Sequence, residues 1–280
     1  MESCIICHST HSKPLYAGIV ECEACGHVFS DLDIDGSQMR RLYDRRYFFG
    51  DEYKDYLADR KVFEKNFRLR LKVLQKFLDP KRHRRLLEIG CAYGFFLEAA
   101  RGLFDSVYGI DVTEDGIRYA QEQLKLDAVN AELLTHDLGG RKFDVVCMWD
   151  TIEHLMSPQL YLEKVARHTD SGALIAMTTG DIESVIARVQ KDKWRLIHPP
   201  THVHYFSRKA LAALLGAYGF DVIYDRYCGF YRSVDLAAYR VFVMGKKAPW
   251  LYALLKRCGL TGVDFYSNLY DIAYIIARKR

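Results

Sequence analysis

Residues 86–100, LLEIGCAYGFFLEAA, join an apolar strand pattern to a glycine-framed turn of the kind that holds nucleotides. Gly90 and Gly94 frame the turn, and Glu88 stands just before it. Asp111 lies about 20 residues further on, where a carboxylate can accept hydrogen bonds from two ribose hydroxyls. This combination indicates a ligand that contains adenosine.

The details of the turn argue against a dinucleotide. The third glycine of a Gly-x-Gly-x-x-Gly pattern is absent, and Tyr93 and Phe95 crowd the turn. The Glu88 carboxylate would repel a pyrophosphate but would attract an ammonium group. S-adenosylmethionine combines adenosine with an ammonium group and is therefore the expected ligand.

Four cysteines near the N-terminus have metal-site spacing. Two Cys-x-x-Cys pairs, separated by 14 residues, are formed by Cys4, Cys7, Cys22 and Cys25. Four thiolates complete a closed tetrahedral zinc shell, and a module this small needs the metal for its stability. The sequence therefore predicts a structural Zn²⁺. A redox Cys-x-x-Cys motif or a disulfide pair is the alternative, which the presence of both pairs disfavours.

Strand and helix patterns alternate after residue 80. The predicted strands cover 85–90, 106–111, 128–131, 143–149 and 172–179, and the predicted helices cover 94–104, 114–126, 157–168 and 181–191. This alternation predicts a doubly wound α/β sheet, whose ligands bind at the carboxyl ends of the strands.

The chain divides into three predicted parts: a zinc ribbon over 1–30, an aromatic-rich segment over 31–60 and a large domain over 61–280. The segment over 31–60 suits a connector that packs on its neighbour as well as a lid over a site. The large domain opens with an amphipathic helix predicted over 61–78.

Composition places the protein among cytoplasmic globular proteins. Of its 280 residues, 50% are hydrophobic and 27% are charged, and the net charge of +4 is too small to indicate a nucleic-acid partner. The sequence shows no secretory signal, and no apolar run approaches the ~18 residues of a membrane span.

Three segments resemble class I S-adenosylmethionine-dependent methyltransferases. LLEIGCAYGFFLEAA, YGIDVTEDGIRYA and KFDVVCMWDTIEHL resemble motif I, the acidic end of the second strand and the fourth-strand motif, within roughly 84–228. The resemblance implies a seven-stranded, Rossmann-like sheet with a reversed last strand, for which 271–280 is suited. It implies cofactor contacts from Glu88, Gly90, Cys91, Tyr93, Gly94, Asp111, Val112, Asp137 (or Glu132) and Trp149, with Asp150 bordering the sulfonium.

Candidates for a catalytic base come from four histidines, His154, His198, His202 and His204. Three of them lie in the proline-stiffened loop HPPTHVHYFS (198–207), which precedes a helix predicted to begin at Ser207. A His-x-His pair can also bind a metal. No cysteine or pair of acids stands nearby in the sequence to complete such a shell, so base chemistry is favoured.

The same loop resembles that of zinc-containing sugar C-methyltransferases, whose pattern ends in His-x-x-Tyr-Phe-Ser. His202, Tyr205, Phe206 and Ser207 match it. The resemblance implies that His202 is the base, with Tyr205 as a further catalytic candidate. His154 is a candidate from its own position in TIEHL, at the start of a helix, where it could equally cap the helix or pack. Two departures are Thr201, which replaces an acid, and the absence of that family's large C-terminal domain.

A predicted helical insert over 233–262 combines apolar residues with Trp250 and scattered lysines and arginines. It suits packing on the sheet or on a second subunit. The alternative is a peripheral membrane contact with anionic lipid, since basic residues beside tryptophan and leucine favour a membrane surface.

The favoured function is methyl transfer to a sugar, a lipid-linked glycan or a related small metabolite. An RNA methyltransferase is the alternative, but Lys13 is the only lysine or arginine before Arg40, too little charge for phosphate binding. A non-catalytic scaffold is the third hypothesis. The intact set of Glu88, Gly90, Gly94 and Asp111 disfavours it.

Overall fold

The structure is a computed structural model that describes residues 3–31, 56–245 and 248–280. Most of the connector or lid predicted over 31–60 lies outside these ranges. The N-terminal module contains the antiparallel strands β1 (Ser12–Tyr16), β2 (Ile19–Cys22) and β3 (Val28–Ser30).

Helices and strands alternate through the rest of the chain. The first part contains α1 (Arg60–Leu74), β4 (Arg85–Ile89), α2 (Phe95–Ala100), β5 (Ser106–Asp111), α3 (Glu114–Glu122), β6 (Asp127–Asn130) and β7 (Phe143–Trp149). The second part contains α4 (Pro158–Arg167), β8 (Thr169–Gly180), α5 (Val185–Gln190), β9 (His204–Tyr205), α6 (Arg208–Ala217) and β10 (Phe220–Tyr227). The last part contains β11 (Phe230–Ser233), α7 (Val234–Ala238), a π-helix (Tyr239–Met244), α8 (Pro249–Arg257), β12 (Asp264–Ser267) and β13 (Ile272–Lys279).

Seven strands form the central sheet in the order β10-β13-β8-β7-β4-β5-β6. The strands from β4 to β8 pair in parallel, whereas β13 runs antiparallel to both β8 and β10. The predicted Rossmann-like methyltransferase fold is therefore confirmed, including the reversed strand within 271–280. Because the parallel strands end at one edge, the loops that follow β4, β5 and β7 meet there.

Alternation along the strands supplies a core on each face of the sheet. Leu87 and Val146 belong to a buried cluster with residues of α4 and α6, whereas Leu86 and Val145 belong to one with residues of α1, α2 and α3. Successive side chains of a strand point to opposite faces, so each strand serves both clusters. The near-continuous apolar runs in the sequence reflect this two-sided burial.

The sheet of the N-terminal module is completed by β9, a strand from much later in the sequence. The sheet has the order β1-β2-β3-β9, with Val28 opposite Tyr205 and Phe29 opposite His204. Beside this pairing, the Ser30 backbone N–H donates to the Val203 carbonyl at 2.8 Å. The module is therefore joined by hydrogen bonds to the histidine-rich loop over 198–207.

The predicted insert over 233–262 forms α7, the π-helix and α8, and it lies between β11 and β12, two antiparallel paired strands that the sequence analysis did not predict. The side chain of Asn66 on α1 holds this region, because its amide exchanges two hydrogen bonds with the Tyr231 backbone, at 2.6 and 3.0 Å. Trp250 on α8 is 69% exposed. Within the described ranges no helix has the length and apolar character needed to cross a membrane. Membrane contact by this insert stays a prediction.

Candidate functional site

A cleft of about 880 Å³ opens at the carboxyl ends of β4, β5 and β7. One part is lined by the loops that follow these strands. The rest of the lining comes from α1, from the loop before β9, and from β11, α7 and the π-helix. The cleft therefore brings the predicted nucleotide turn and the histidine-rich loop to one cavity.

Asp111, at the end of β5, fixes the shape of the glycine turn. Its Oδ2 accepts the Ala92 backbone N–H at 2.8 Å, and its Oδ1 accepts the Thr113 backbone N–H at 2.8 Å. Burial raises the pKa of the Asp111 carboxyl, and the hydrogen bonds from Thr113 and Ala92 oppose this effect. A carboxylate oxygen can accept more than one hydrogen bond, so this side chain can also receive donors from a ligand.

Glu88, on β4, lines the same cleft and is 2% exposed. Its Oε2 has no hydrogen-bond partner among the described residues. Burial raises the pKa of Glu88 well above its ordinary value, and the nearby Asp111 charge adds to the effect. A buried carboxyl of this kind is stabilised in its charged form by a cationic group of a ligand.

The two glycines of the turn have different roles. Gly90 has φ +78°, and a Cβ there would lie 2.6 Å from the Thr151 Oγ1, so only glycine lets the turn pass this close to the loop after β7. Gly94 has φ +77° and lies outside the cleft lining. A Cβ at Gly94 would lie 2.7 Å from the Leu126 Cδ1 and 3.0 Å from the Ala120 Cβ. Gly94 therefore serves the packing of α2 against α3, and its contact with a cofactor stays a prediction.

The other predicted cofactor contacts also divide into residues that line the cleft and residues that do not. Cys91, Val112, Trp149 and Asp150 line the cleft. Tyr93 does not, because its ring is buried between Tyr56 and Tyr119, with centroid separations of 5.2 and 5.6 Å.

Asp137 is exposed and lies outside the cleft lining, where its Oδ1 caps the Gly139 backbone N–H at 2.8 Å. Glu132, the alternative acid, lines the cleft just after β6, and its Oε1 accepts a hydrogen bond from the Tyr161 hydroxyl.

Arg70 is a cleft residue that the sequence analysis missed. It is 3% exposed, its Nε has no hydrogen-bond partner among the described residues, and its guanidinium lies 4.3 Å from the Phe230 ring centroid. Asp150 is its nearest acid, with 3.7 Å between Nη2 and Oδ2. The available signal was an arginine on the buried face of an amphipathic helix, four residues after Asn66 and one before the buried Leu71.

His154 and His202 meet in the cleft, with ring centroids 4.6 Å apart. His202 Nδ1 lies 2.9 Å from the Leu196 carbonyl, and His154 Nδ1 lies 2.9 Å from the Thr201 carbonyl. Since a carbonyl only accepts, each Nδ1 carries the proton in a neutral ring and each Nε2 carries the lone pair. Burial, followed by the neighbouring His154, lowers the pKa of His202 well below its ordinary value, which keeps the ring neutral.

Glu153, next to His154, completes a polar cluster that the sequence analysis did not single out. It lines the cleft, is 5% exposed, and its Oε2 has no hydrogen-bond partner among the described residues. Burial raises the pKa of Glu153 to about 8, and the Asp150 charge adds to this effect. The sequence TIEHL could have indicated this residue, because the acid stands directly before the candidate His154.

Two catalytic candidates of the histidine-rich loop, His204 and Tyr205, lie outside the cleft lining. His204 is 1% exposed and its Nδ1 lies 3.1 Å from the His27 Nε2 of the N-terminal module. Tyr205 is 3% exposed and packs against Ile19 and Val28, because β9 pairs with β3 and turns this ring toward the module. Tyr205 thus lies outside the cleft lining, and its catalytic role stays a prediction. Its hydroxyl instead donates to the His202 carbonyl at 3.2 Å.

The four N-terminal cysteines form a compact thiol cluster. Cys4 Sγ and Cys25 Sγ are 3.5 Å apart, as are Cys7 Sγ and Cys22 Sγ, and all four sulfurs lie within 4.8 Å of one another. Bonds of ~2.3 Å to one tetrahedral zinc ion place sulfurs about 3.8 Å apart. The donor set and its spacing therefore fit a single Zn²⁺.

Comparison with known proteins identifies the class. The family described as "Methyltransferase domain" matches residues 58–225, which is more than half of the chain. The chain belongs to this family. With the class I fold and the carboxylates at the ends of β4 and β5, it is an S-adenosylmethionine-dependent methyltransferase domain.

Individual relatives match over shorter segments. A ubiquinone biosynthesis O-methyltransferase of Rhizobium etli is 32% identical over 113 residues, which cover 36% of this chain and 45% of that protein. One of Chelativorans sp. is 31% identical over 102 residues, covering 34% and 40%. The chain thus spans less than half the length of these relatives.

Solved structures share the fold at low identity. The magnesium protoporphyrin IX methyltransferase of Synechocystis PCC 6803, with bound S-adenosylhomocysteine, superposes with a TM-score of 0.55 at 14% identity, covering 88% of this chain and all of that chain (100%).

We predict opposite effects of Glu88→Gln on stability and on ligand binding. The folded-state pKa of Glu88 lies above the unfolded value near 4.5. Its contribution to stability is therefore complete below that pH and is lost as the pH rises toward the folded-state pKa. In calorimetric scans without ligand, Glu88→Gln should have the higher Tm at pH 8, and the difference should shrink toward pH 4.5.

The same variant should bind S-adenosylmethionine about ten- to a hundredfold more weakly in titration calorimetry, because it lacks the charge that pairs with the ammonium group. Glu114→Gln, at an exposed carboxylate on α3, is the matched control and should change neither property. A Glu88→Gln protein with lower Tm and unchanged affinity would contradict this role.

Proposed function

We propose that the protein transfers a methyl group from S-adenosylmethionine to an oxygen of a small metabolite, with His202 receiving or positioning the proton that the acceptor loses. The observation that carries the proposal is that a neutral His202 lines the same cleft as Glu88 and Asp111. The sulfonium of the donor supplies an electrophilic methyl group. The protein mainly aligns the acceptor and manages its proton.

The donor half of the cleft offers a partner for each polar part of the donor. Asp111 is placed to accept the ribose hydroxyls, Glu132 to accept the adenine amino group and Glu88 to pair with the ammonium group. Arg70 supplies an unsatisfied buried guanidinium N–H suited to the donor's carboxylate. This set contains a partner for the adenosine, the ammonium and the carboxylate, and it includes no cluster for a pyrophosphate.

The acceptor half is mainly apolar, with two arginines. Phe230, Leu236 and Val241 line it together with Arg195 and Arg232. Such a wall suits an acceptor with an apolar body and an anionic or strongly polar group. The relatives named ubiquinone biosynthesis O-methyltransferases support oxygen as the atom that is methylated.

A sugar acceptor is the second candidate, and a specific pattern favours it. His202, Tyr205, Phe206 and Ser207 match the loop of the sugar C-methyltransferases, and three histidines and Thr201 give this loop a polar character. In the structure, however, Tyr205 and Phe206 are buried away from the cleft lining. The pattern therefore supports the conformation of the loop more than the identity of the acceptor.

We also propose that Cys4, Cys7, Cys22 and Cys25 bind a structural Zn²⁺, which holds the histidine loop through β9. The support is the spacing of the four sulfurs and the pairing of β3 with β9. Ser30 follows in the same strand, and its hydroxyl donates to the His202 carbonyl at 2.9 Å. Loss of the metal would thus free the backbone that carries His202.

The test of the methyl-transfer proposal is a screen with labelled S-adenosylmethionine against phenols and catechols, nucleotide sugars, lipid-linked sugars and RNA. We expect label in an aromatic or other apolar hydroxyl compound. Label only in sugars would favour the second candidate, and label only in RNA would overturn the proposal.

Once the acceptor is known, His202→Asn should reduce kcat by about 10²–10⁴, because the side chain that receives or positions the acceptor's proton is lost. The affinity for S-adenosylmethionine should stay nearly unchanged, because His202 is not assigned to donor binding. His168→Asn, at the end of α4 outside the cleft lining, is the control and should retain wild-type turnover. A near-normal kcat for His202→Asn would remove this residue from the mechanism.

The zinc prediction is tested with Cys22→Ser. After chelator treatment, elemental analysis should find one zinc per chain in the native protein and much less in the variant. The variant should still bind S-adenosylmethionine, but turnover should fall at least about tenfold because a displaced histidine loop disrupts alignment. Cys258→Ser, at an exposed cysteine outside the cluster, should match the native protein in zinc content and turnover. A Cys22→Ser protein that keeps full zinc would refute the ligand set.

A further inference from the structure

We propose that Glu153, His154 and His202 form a second metal site, which binds a divalent first-row transition-metal ion in the acceptor half of the cleft. Its role in the reaction rests on the proposed methyl transfer, with one change: His202, as a ligand, positions the acceptor oxygen through the ion and does not itself receive the proton. The site is separate from the cysteine cluster and draws its ligands from the loop after β7 and from the loop before β9.

The geometry of the three side chains fits a shared ion. One potential ligand atom from each residue lies within 4.8 Å of the other two. Ligands of about 2.1 Å bond length on one ion lie roughly 3–4 Å apart, so a small inward movement of these side chains would close the shell. In the sequence, no cysteine or pair of acids near the His-x-His pair could complete a metal site. In the structure, Glu153 and His154 lie beside His202, whereas His204 points to His27 of the N-terminal module.

The hydrogen bonds behind the two rings also suit metal ligation. Each Nδ1–H is directed at a backbone carbonyl, Leu196 for His202 and Thr201 for His154. This arrangement fixes the ring orientation and makes Nε2 the lone-pair nitrogen, which is how outer-shell partners hold ligating histidines.

The cluster can supply three ligand atoms once the Glu153 carboxyl has lost its proton, as metal binding requires. Two imidazole lone pairs and the Glu153 carboxylate converge, and Glu153 Oε2 is buried without a hydrogen-bond partner among the described residues. Leaving a buried carboxyl oxygen unsatisfied is costly, and a cation would satisfy Glu153 Oε2. A backbone hydrogen bond also joins the two loops that carry these residues, since the Val203 N–H donates to the Glu153 carbonyl at 2.8 Å.

The ligand chemistry selects the ion. Two imidazoles with one carboxylate suit Mn²⁺, Fe²⁺, Co²⁺ or Zn²⁺ better than Mg²⁺ or Ca²⁺, which prefer oxygen ligands. Three protein ligands leave coordination positions open, as in catalytic and not structural metal sites. The cysteine cluster, with its four soft thiolates, retains zinc against a harder ion such as Mn²⁺.

The open positions define an acceptor class. A hydroxyl oxygen bound to the ion becomes more acidic, and its proton goes to solvent as the oxygen coordinates. The resulting oxyanion forms the new O–C bond to the methyl carbon, while the S–C bond breaks and its electron pair stays on sulfur. The ion keeps its charge throughout. Acceptors with two neighbouring oxygens, such as catechols, can occupy two positions and are the favoured substrates.

The test uses full-length protein brought to one zinc per chain with a chelator, and Mn²⁺ as the probe. Titration followed by electron paramagnetic resonance of free Mn²⁺ should show one additional ion per native chain. Glu153→Gln and His202→Asn should each weaken Mn²⁺ binding at least about tenfold, whereas His168→Asn should bind like the native protein. Circular dichroism and zinc content verify that each variant is folded.

Absence of a bound Mn²⁺ in the native protein, or equal Mn²⁺ binding by all variants, would overturn the proposal. Failure of the metal site is distinguishable from failure of the methyl-transfer function. Full turnover of a phenolic acceptor by the one-zinc protein without Mn²⁺ would overturn the second metal site and leave methyl transfer intact. Variant-sensitive Mn²⁺ binding with no methylated acceptor would support the ion and count against methyl transfer.

Discussion

The double hydrogen bond from the backbone to the Asp111 carboxylate is the constraint on which the site depends. One oxygen holds the Ala92 N–H in the turn after β4, and the other holds the Thr113 N–H at the start of α3. A single side chain thus fixes two neighbouring strand ends relative to each other. Since Gly90 leaves no space for a Cβ beside Thr151, the turn is also fixed against the loop after β7. Donor binding depends on this shared edge.

A second constraint joins the small N-terminal sheet to the acceptor half of the cleft. The pairing of β3 with β9 places His204 and Tyr205 in the interior of the module, and the Ser30 hydrogen bonds hold the residues just before them. His202 emerges from this fixed backbone toward His154. The cysteine cluster therefore acts on the cleft through strand pairing, at a distance from the reacting groups.

Much of the fold could be predicted because parallel strands buried on both faces give apolar runs, and helices between them give a 3.6-residue period. The bounds of β5 and β7 were predicted to the residue. Helix ends were less accurate, because local capping decides them. The helix predicted over 181–191 begins only at Val185, since the Ser184 hydroxyl caps it by accepting the Ala187 N–H at 3.2 Å.

The site was predictable where residues follow strand ends in the sequence. Glu88 and Asp111 were found in this way. Arg70 and Glu153 were not, because their significance comes from buried polar atoms that lack hydrogen-bond partners among the described residues, which only the tertiary structure shows. The burial of Tyr205 against the N-terminal module was not predictable for a related reason, since its pairing partner Val28 lies 177 positions earlier in the chain.

The central claim is that the cleft beside β4 and β5 recognises the cationic amino-acid part and the adenosine of the donor together. Titration calorimetry with S-adenosylmethionine, adenosine and a donor analogue that lacks the α-amino group tests it most directly. The account predicts one S-adenosylmethionine per chain, with the deaminated analogue bound at least about tenfold more weakly and adenosine weaker still. Equal affinity for S-adenosylmethionine and the deaminated analogue, or no binding of either, would contradict it.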